Sequence, residues 1–144
     1  MNLYDKPRVQ DFQLDGVKHI TVLEAYELII KDEVFFLDVR EEDEHEIEYF
    51  EFQNVFFFPM SKIMDSIQFI PKEVPIIVVC DEGSRSTKVV NVLNRQGFIN
   101  VANMDGGLYA WKAKGLPIIK GKMAKAVSGS CSIDSCGCSC DGCG

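Results

Sequence analysis

The chain has 144 residues, the size of one ordinary domain, and 47% of them are hydrophobic, which is enough for a real core. Its formal net charge of -7 argues against nucleic acid and anionic membrane surfaces as partners, because both require basic patches. The sequence contains no apolar run of membrane-spanning length and no signal-peptide pattern at its start. We therefore expect a cytoplasmic protein whose cysteines are mostly reduced.

Along the chain, apolar runs typical of strands alternate with patterns typical of helices. Residues 12–20 suit an edge strand or short hairpin, and the helix after them opens with Thr21 and Glu24 at capping-box spacing. The predicted helices cover 21–32, 61–70, 84–97 and 106–115, and the predicted strands cover 34–39, 55–58, 76–80 and 99–104. Because near-continuous hydrophobic strands are buried on both faces, this order predicts an α/β fold, a parallel sheet flanked by helices on both faces.

The same patterns predict where several structural side chains lie. In the first helix the expected apolar face consists of Leu23, Tyr26, Leu28 and Ile30. We expect Trp111 to pack against the sheet. The two histidines, His19 and His45, are expected to be ordinary surface or edge residues.

The alternation of strands and helices ends near Ile119, which predicts a folded domain over 1–120 and a flexible Cys-rich C-terminal tail over 121–144. Five cysteines lie in this tail: Cys131, Cys136, Cys138, Cys140 and Cys143. Their spacing lacks the two separated C-x2-C pairs of a zinc ribbon and resembles metallothionein sequences. We therefore predict that they bind Zn²⁺ or Cu(I), with an iron–sulfur cluster less indicated, or that they accept sulfur from Cys80. The alternative is thiols that bind nothing specific.

The remaining cysteine, Cys80, ends a predicted strand, and a loop from Cys80 to Arg85 leads into the next helix. Reactive groups of open α/β sheets gather at the carboxyl ends of strands. The amides of such a loop, together with a helix N-terminus, stabilise a thiolate. Gly83 allows the tight turn, and Arg85 offers a cation near the mouth. We predict Cys80 as the catalytic nucleophile and a substrate-binding loop of Asp81, Glu82, Gly83, Ser84, Arg85 and Ser86.

The loop sequence CDEGSRS resembles the active-site loop of single-domain rhodaneses, which are sulfurtransferases. The resemblance runs from about Ile20 to Ile118 through ITVLEAYELI, FFLDVREEDEHEI, FFFPM, IIVVC and GGLYAWKAKGLPI. It implies a rhodanese-like α/β domain in which Cys80 forms a persulfide and passes its outer sulfur to a thiol acceptor, with no cofactor required for catalysis. It also implies structural roles for Asp38 and Arg40 at the end of the first long strand.

The chain departs from the family pattern in two places. Tyr49 and Phe52 stand where the family usually has the histidine and a glycine of a Gly-His-Ile-Pro-Gly-Ala segment, which affects the local loop shape. Asp81 and Glu82 stand in the active-site loop where a basic residue is common. Because thiosulfate is a dianion, these two carboxylates predict that it is a poor donor.

Two alternatives share this architecture. Dual-specificity-type phosphatases have the longer spacing Cys-x5-Arg, whereas the spacing from Cys80 to Arg85 is Cys-x4-Arg, a ring that suits one terminal sulfur better than a phosphoryl group. A rhodanese-shaped metal- or sulfur-binding module usually lacks the cysteine that this chain keeps. The sequence therefore favours a sulfurtransferase, whose partners are a sulfur donor and a thiol acceptor, each a small molecule or a protein.

Overall fold

A computed structural model describes residues 1–121 of the protein. In chain order, the strands are β1 (His19–Ile20), β2 (Phe35–Asp38), β3 (Glu48–Tyr49), β4 (Val55–Phe57), β5 (Ile76–Val79), β6 (Val101–Met104) and β7 (Ile119–Lys120). The α-helices are α1 (Val22–Ile30), α2 (Glu42–Ile47), α3 (Ile63–Ser66), α4 (Ser84–Arg95) and α5 (Gly107–Ala113). The chain divides into two compact units, one of residues 1–41 and 52–117, the other containing 42–51 and the described residues from 118 onward.

The first unit is built on a five-stranded parallel sheet with the strand order β1-β6-β5-β2-β4. In the register of its central strands, Val78 lies between Leu37 and Asn103. Every residue of β5 and β6 is buried, as expected for strands covered on both faces. The predicted α/β fold with a parallel sheet is confirmed, and 12–20 contributes only the two-residue edge strand β1.

Helices pack on both faces of this sheet because alternate residues of its strands point to opposite sides. On one face, Leu37 and Val78 join Leu93 of α4 in a buried hydrophobic cluster. On the other face, Trp111 of α5 is fully buried, and its ring meets that of Phe36 edge-on with 5.8 Å between centroids. The expected packing of Trp111 against the sheet is confirmed.

Phe52 belongs to the same aromatic cluster. Its ring centroid lies 6.2 Å from those of both Phe36 and Trp111, and Tyr26 of α1 meets Trp111 edge-on at 5.7 Å. The residue that stands in place of a family glycine therefore adds a large packed ring to this face of the core.

Helix α1 begins as predicted, but it buries a different face. Thr21 is the N-cap, and its hydroxyl oxygen accepts a hydrogen bond from the backbone N–H of Glu24. The buried residues are Val22, Ala25 and Ile29. Leu23 and Ile30 are about half exposed, so the expected apolar face is wrong at these two positions, whereas Tyr26 packs on Trp111. Two apolar stripes run side by side along this helix, and the one with the smaller residues faces the core.

The single helix expected over 61–70 is also wrong, because this stretch is divided. A 3₁₀ turn over Met60–Lys62 precedes the one-turn helix α3, and a second 3₁₀ turn follows over Ile67–Phe69. Ile63 is the buried residue of α3, so little packing holds a longer regular helix in place. The helix expected over 84–97 is confirmed as α4, with Gly97 at φ 93° just after its C-cap, as is α5.

In the second unit, β3 and β7 form an antiparallel pair in which Tyr49 lies opposite Ile119. The ring of His45 in α2 stacks on Tyr49 with 5.6 Å between centroids. The last strand of the described chain ends at Lys120, and the five tail cysteines predicted to bind metal lie outside the described residues. Within residues 1–121, no helix has the length and apolar character needed to cross a membrane.

Two adjacent isoleucines test which face of α1 is buried. Ile29 is 1% exposed, whereas Ile30 is 52% exposed. We expect Ile29→Ala to lower the free energy of unfolding by about 2–5 kcal/mol because it leaves a cavity, and Ile30→Ala to change it by less than about 0.5 kcal/mol. Urea unfolding of the two variants measures this difference, and equal losses would show that the helix packs in another rotation.

Candidate active site

The sulfur of Cys80 lies at the carboxyl end of β5, in a small shell of hydrogen-bond donors. The residue is 1% exposed. Its Sγ accepts from the backbone N–H of Gly83 at 3.1 Å and from that of Ser86 at 3.3 Å, and Ser86 Oγ lies 3.2 Å away. Two amides directed at one sulfur stabilise negative charge on it, as does the N-terminus of the twelve-residue helix α4 that begins here. The sulfur of Cys80 therefore has the surroundings expected of a nucleophile.

Gly83 gives the loop its sharp turn. It is the N-cap of α4 and adopts φ 99°, in the left-handed region that favours glycine. Its carbonyl accepts from the backbone N–H of Thr87 at 3.0 Å and from Thr87 Oγ1 at 2.6 Å. The peptide groups of this turn are thus oriented with one N–H toward the sulfur and the carbonyl toward α4.

The start of α5 holds the other side of the loop. The backbone N–H of Leu108 donates to the carbonyl of Cys80 at 2.7 Å, and that of Tyr109 donates to the carbonyl of Asp81 at 2.8 Å. This close approach requires glycine at position 107, because a Cβ there would lie 2.5 Å from the Cys80 carbonyl oxygen. The Gly-Gly pair before Trp111 therefore lets one helix terminus dock directly on the backbone of the active-site loop.

A row of four alternating charges borders the loop. Asp38 and Arg40 are both buried and form a two-point ion pair, with Nε to Oδ1 at 3.0 Å and Nη2 to Oδ2 at 2.9 Å. Arg40 Nη1 also lies 3.9 Å from Asp81 Oδ1, and Arg85 Nη2 donates to Asp81 Oδ2 at 3.2 Å. The Arg85 guanidinium therefore pairs with a carboxylate of its own loop.

Behind the sulfur, a buried polar chain runs from α4 to the two strands β6 and β1. Ser86 Oγ hydrogen-bonds to Asn103 Oδ1 on β6, and Asn103 Nδ2 donates to His19 Nδ1 on β1 at 3.0 Å. His19 lies on the edge strand β1, as one of the two expected positions had it, but it is fully buried and not at the surface. Burial lowers the pKa of His19 below its ordinary value, since a charged ring would lose its hydration.

Sequence reasoning missed Asn103, although a signal was present, because asparagine is unusual inside an apolar strand such as VANM. The six predicted loop residues are brought together, but they do different things. Gly83 and Ser86 face the sulfur, and Asp81 pairs with Arg85. Glu82 and Ser84 line a neighbouring pocket of about 360 Å³, whose other walls are residues 9–12, Gly106 and Tyr109.

Among residues 1–121, no cluster of histidine, cysteine and carboxylate side chains could hold a metal ion. The candidate ligands proposed from the sequence are Cys131, Cys136, Cys138, Cys140 and Cys143, which lie outside the described residues. That metal site stays a prediction.

Comparison with known proteins gives one consistent family. The family model described as the rhodanese-like domain matches residues 21–114. The thiosulfate sulfurtransferase GlpE of Coxiella burnetii is 36% identical over 96 residues, covering 67% of this chain and 88% of that protein. A rhodanese-like domain protein from Staphylococcus aureus is 33% identical with a TM-score of 0.59, covering 65% of this chain and 89% of that one. A rhodanese-related protein from Thermoplasma volcanium has a TM-score of 0.64 at 27% identity, covering 70% and 96%.

Two glycines in the left-handed region separate backbone strain from contact with the active-site loop. Gly107 has φ 59° and touches the loop, whereas Gly115 has φ 71° and nothing within 4 Å of the position of a Cβ. Gly115→Ala should lower the free energy of unfolding by about 1–2 kcal/mol. Gly107→Ala should lower it by roughly 2–5 kcal/mol and also slow alkylation of Cys80, because the loop must shift.

Urea unfolding and the alkylation rate by iodoacetamide measure the two effects. If both alanine variants lose the same stability and Cys80 reacts equally fast in each, the contact between α5 and the loop does not matter for the thiol.

Proposed function

This chain belongs to the rhodanese-like domain family and is related to single-domain sulfurtransferases, and we propose that Cys80 is the residue that carries the transferred sulfur. The observation that carries this proposal is the pair of backbone N–H groups, from Gly83 and Ser86, directed at Sγ. A buried sulfur in such a shell is suited to alternate between a thiolate and a persulfide anion.

The proposed reaction has two displacements at sulfur. In the first, the Cys80 thiolate attacks the outer sulfur of a donor, the donor's S–S bond breaks, and its electron pair leaves with the donor remnant as a thiolate or sulfite. In the second, an acceptor thiolate attacks the outer sulfur of the Cys80 persulfide, and Cys80 leaves as a thiolate. The amides of Gly83 and Ser86 stabilise the Cys80 thiolate before the first step and after the second.

The charge row supports sulfur transfer over phosphate transfer. A phosphatase of this architecture needs an arginine aimed at the three oxygens of the phosphoryl group. In this protein Arg85 donates to Asp81, and the loop has only four residues between Cys80 and Arg85. Both features favour a site for one additional sulfur atom.

We propose further that thiosulfate is a poor donor and that a less charged persulfide, on a protein or a small molecule, is preferred. Asp81 lies between Arg40 and Arg85 and offsets the cations that would attract a dianion. Glu82 is exposed and lines the pocket beside the loop. One carboxylate at about 8 Å from a unit negative charge costs about 2 kcal/mol at an effective dielectric constant near 20, and less as salt rises.

The role of Cys80 can be tested by intact mass. A variant with serine at the five tail cysteines keeps Cys80 as its only thiol. After incubation with a small-molecule persulfide, its mass should rise by one sulfur atom, and a thiol acceptor should remove that atom. Adding Cys80→Ser should abolish the gain while leaving the urea unfolding curve intact, since serine fills the same space.

The tail is the control for this experiment. If the Cys80→Ser variant that retains all tail cysteines transfers sulfur at the unmodified rate, or if the variant with Cys80 alone gains none, the sulfur is carried elsewhere and the proposal is wrong.

The donor preference can be tested with matched amide substitutions. Glu82→Gln should raise kcat/KM for thiosulfate by roughly 3- to 10-fold at low ionic strength, mainly through a lower KM, and the gain should shrink with added salt. Glu33→Gln, an exposed carboxylate just before the amino end of β2, should have no effect. Efficient use of thiosulfate by the unmodified protein, with no gain from Glu82→Gln, would contradict the proposed preference.

A further inference from the structure

The N-terminal segment, residues 4–12, precedes the part of the chain that matches the family, 21–114. Several hydrogen bonds nevertheless hold it beside the active site. Its anchor is the buried carboxylate of Asp105, directly after β6. Asp105 accepts from the Tyr4 hydroxyl at 2.7 Å, from the backbone N–H of Arg8 at 2.7 Å and from that of Gln10 at 3.1 Å. Burial and this carboxylate raise the pKa of Tyr4, which keeps its hydroxyl a donor.

The side chain of Gln10 extends from this segment to a position between the active-site loop at Gly83 and the turn at Gly106. Its Oε1 accepts from Asn103 Nδ2 at 2.9 Å and from the backbone N–H of Gly106 at 3.0 Å. Its Nε2 donates to Thr87 Oγ1 at 2.9 Å and approaches the Gly83 carbonyl at 3.3 Å. A Cβ at Gly83 would lie 1.7 Å from Gln10 Oε1, so the carboxamide is in direct contact with the turn of the active-site loop.

Gln10 is therefore linked to both residues whose N–H groups donate to the sulfur, to Gly83 directly and to Ser86 through one intermediate residue. Gly83 is touched directly, and its N–H donates to Cys80 Sγ. Ser86 is reached through Asn103, whose amide nitrogen donates to Gln10 and whose oxygen bonds to Ser86 Oγ. The carboxamide supplies a donor on the side of the Gly83 carbonyl and an acceptor on the side of Asn103 and Gly106, a polarity that no other side chain of this length provides.

We propose that Gln10 is a positioning residue for the nucleophile, and that the N-terminal segment acts through it to hold the backbone N–H groups of Gly83 and Ser86 on Cys80 Sγ. The inference rests on the proposed role of Cys80 as a reactive thiol. It adds to the site a residue from outside the region that matches the family.

The variants that test this inference differ in polarity as well as in size. Gln10→Ala removes every side-chain contact. Gln10→Glu keeps the shape, but it places a carboxylate oxygen against the Gly83 carbonyl and adds a negative charge near the sulfur. Gln13→Glu is the matched control, because Gln13 is an exposed glutamine directly after the N-terminal segment.

The readout is the rate at which iodoacetamide alkylates Cys80 across a pH series, followed on the tryptic peptide of residues 73–85, which excludes the tail cysteines. Gln10→Ala should slow the reaction roughly 10-fold or more because the amides lose their alignment. Gln10→Glu should move the whole profile to higher pH, and Gln13→Glu should leave the profile unchanged. Urea unfolding shows that each variant is folded at the assay temperature.

Two results would overturn the proposal. Faster alkylation in Gln10→Ala would mean that the side chain covers a buried thiol instead of aligning its surroundings. An unchanged pH profile in both Gln10 variants, with only a loss of stability, would mean that the contact serves the fold alone.

The same variants assayed for sulfur uptake separate this inference from the proposed function. If the unmodified protein takes up no sulfur on Cys80 but the alkylation profiles change as expected, sulfur transfer is wrong and the positioning role stands. If sulfur uptake requires Cys80, but neither sulfur uptake nor alkylation changes in the Gln10 variants, the proposed function stands and the positioning role is wrong.

Discussion

The buried sulfur of Cys80 accepts two backbone hydrogen bonds, and this requirement constrains the chain around it. Gly83 and Ser86 are three and six residues from Cys80, so both N–H groups can reach Sγ only if the loop turns sharply and its carbonyls point elsewhere. Buried carbonyls need donors of their own. Those of Cys80 and Asp81 find them at the start of α5, and that of Gly83 finds them on Thr87. The glycine at position 107 and the short connection from β5 to α4 follow from that constraint.

The charged side chains at the same edge of the sheet form pairs whose opposite charges largely offset one another. The pair of Asp38 and Arg40 is buried with two hydrogen bonds, a geometry in which an arginine and a carboxylate offset the cost of losing water. Asp81 extends this pairing to Arg85 at the surface. The loop therefore presents backbone dipoles to the sulfur more than it presents net positive charge, which is the opposite of a site built to concentrate anions.

The sequence revealed those features whose causes lie within a few residues of one another. Continuous apolar runs predicted the four longer strands, Thr21 the start of α1, and Gly97 the end of α4, because each signal is local. The buried face of α1 was not predictable, since both sides of the helix carry apolar residues and distant packing partners decide which side is covered. The buried His19 hydrogen-bonds to Asn103, which is 84 residues away in sequence.

The candidate site divides in the same way. Cys80 and its loop carry a local pattern of strand end, glycine and helix start, and could be identified directly. Asn103 left a weaker signal as a polar residue within a strand, and Gln10 left none. Its partners Gly83 and Asn103 lie 73 and 93 residues further along the chain, and only the assembled sheet brings the three together. Long-range hydrogen bonds of this kind have no periodicity that a sequence pattern could display.

The hydrogen bonds between the N-terminal segment and Asp105 bear on where this domain can be truncated. A protein trimmed to the family-matched range would retain Asp105, buried at 1% exposure, but would lose the hydroxyl and the backbone donors that satisfy it, together with strand β1 at the edge of the sheet. Truncation would thus remove both the groups that cover this carboxylate and the hydrogen bonds that it accepts. The limits of sequence similarity are therefore narrower than the set of residues joined by these contacts, and a graft or fusion that preserves them has to include the residues before position 21.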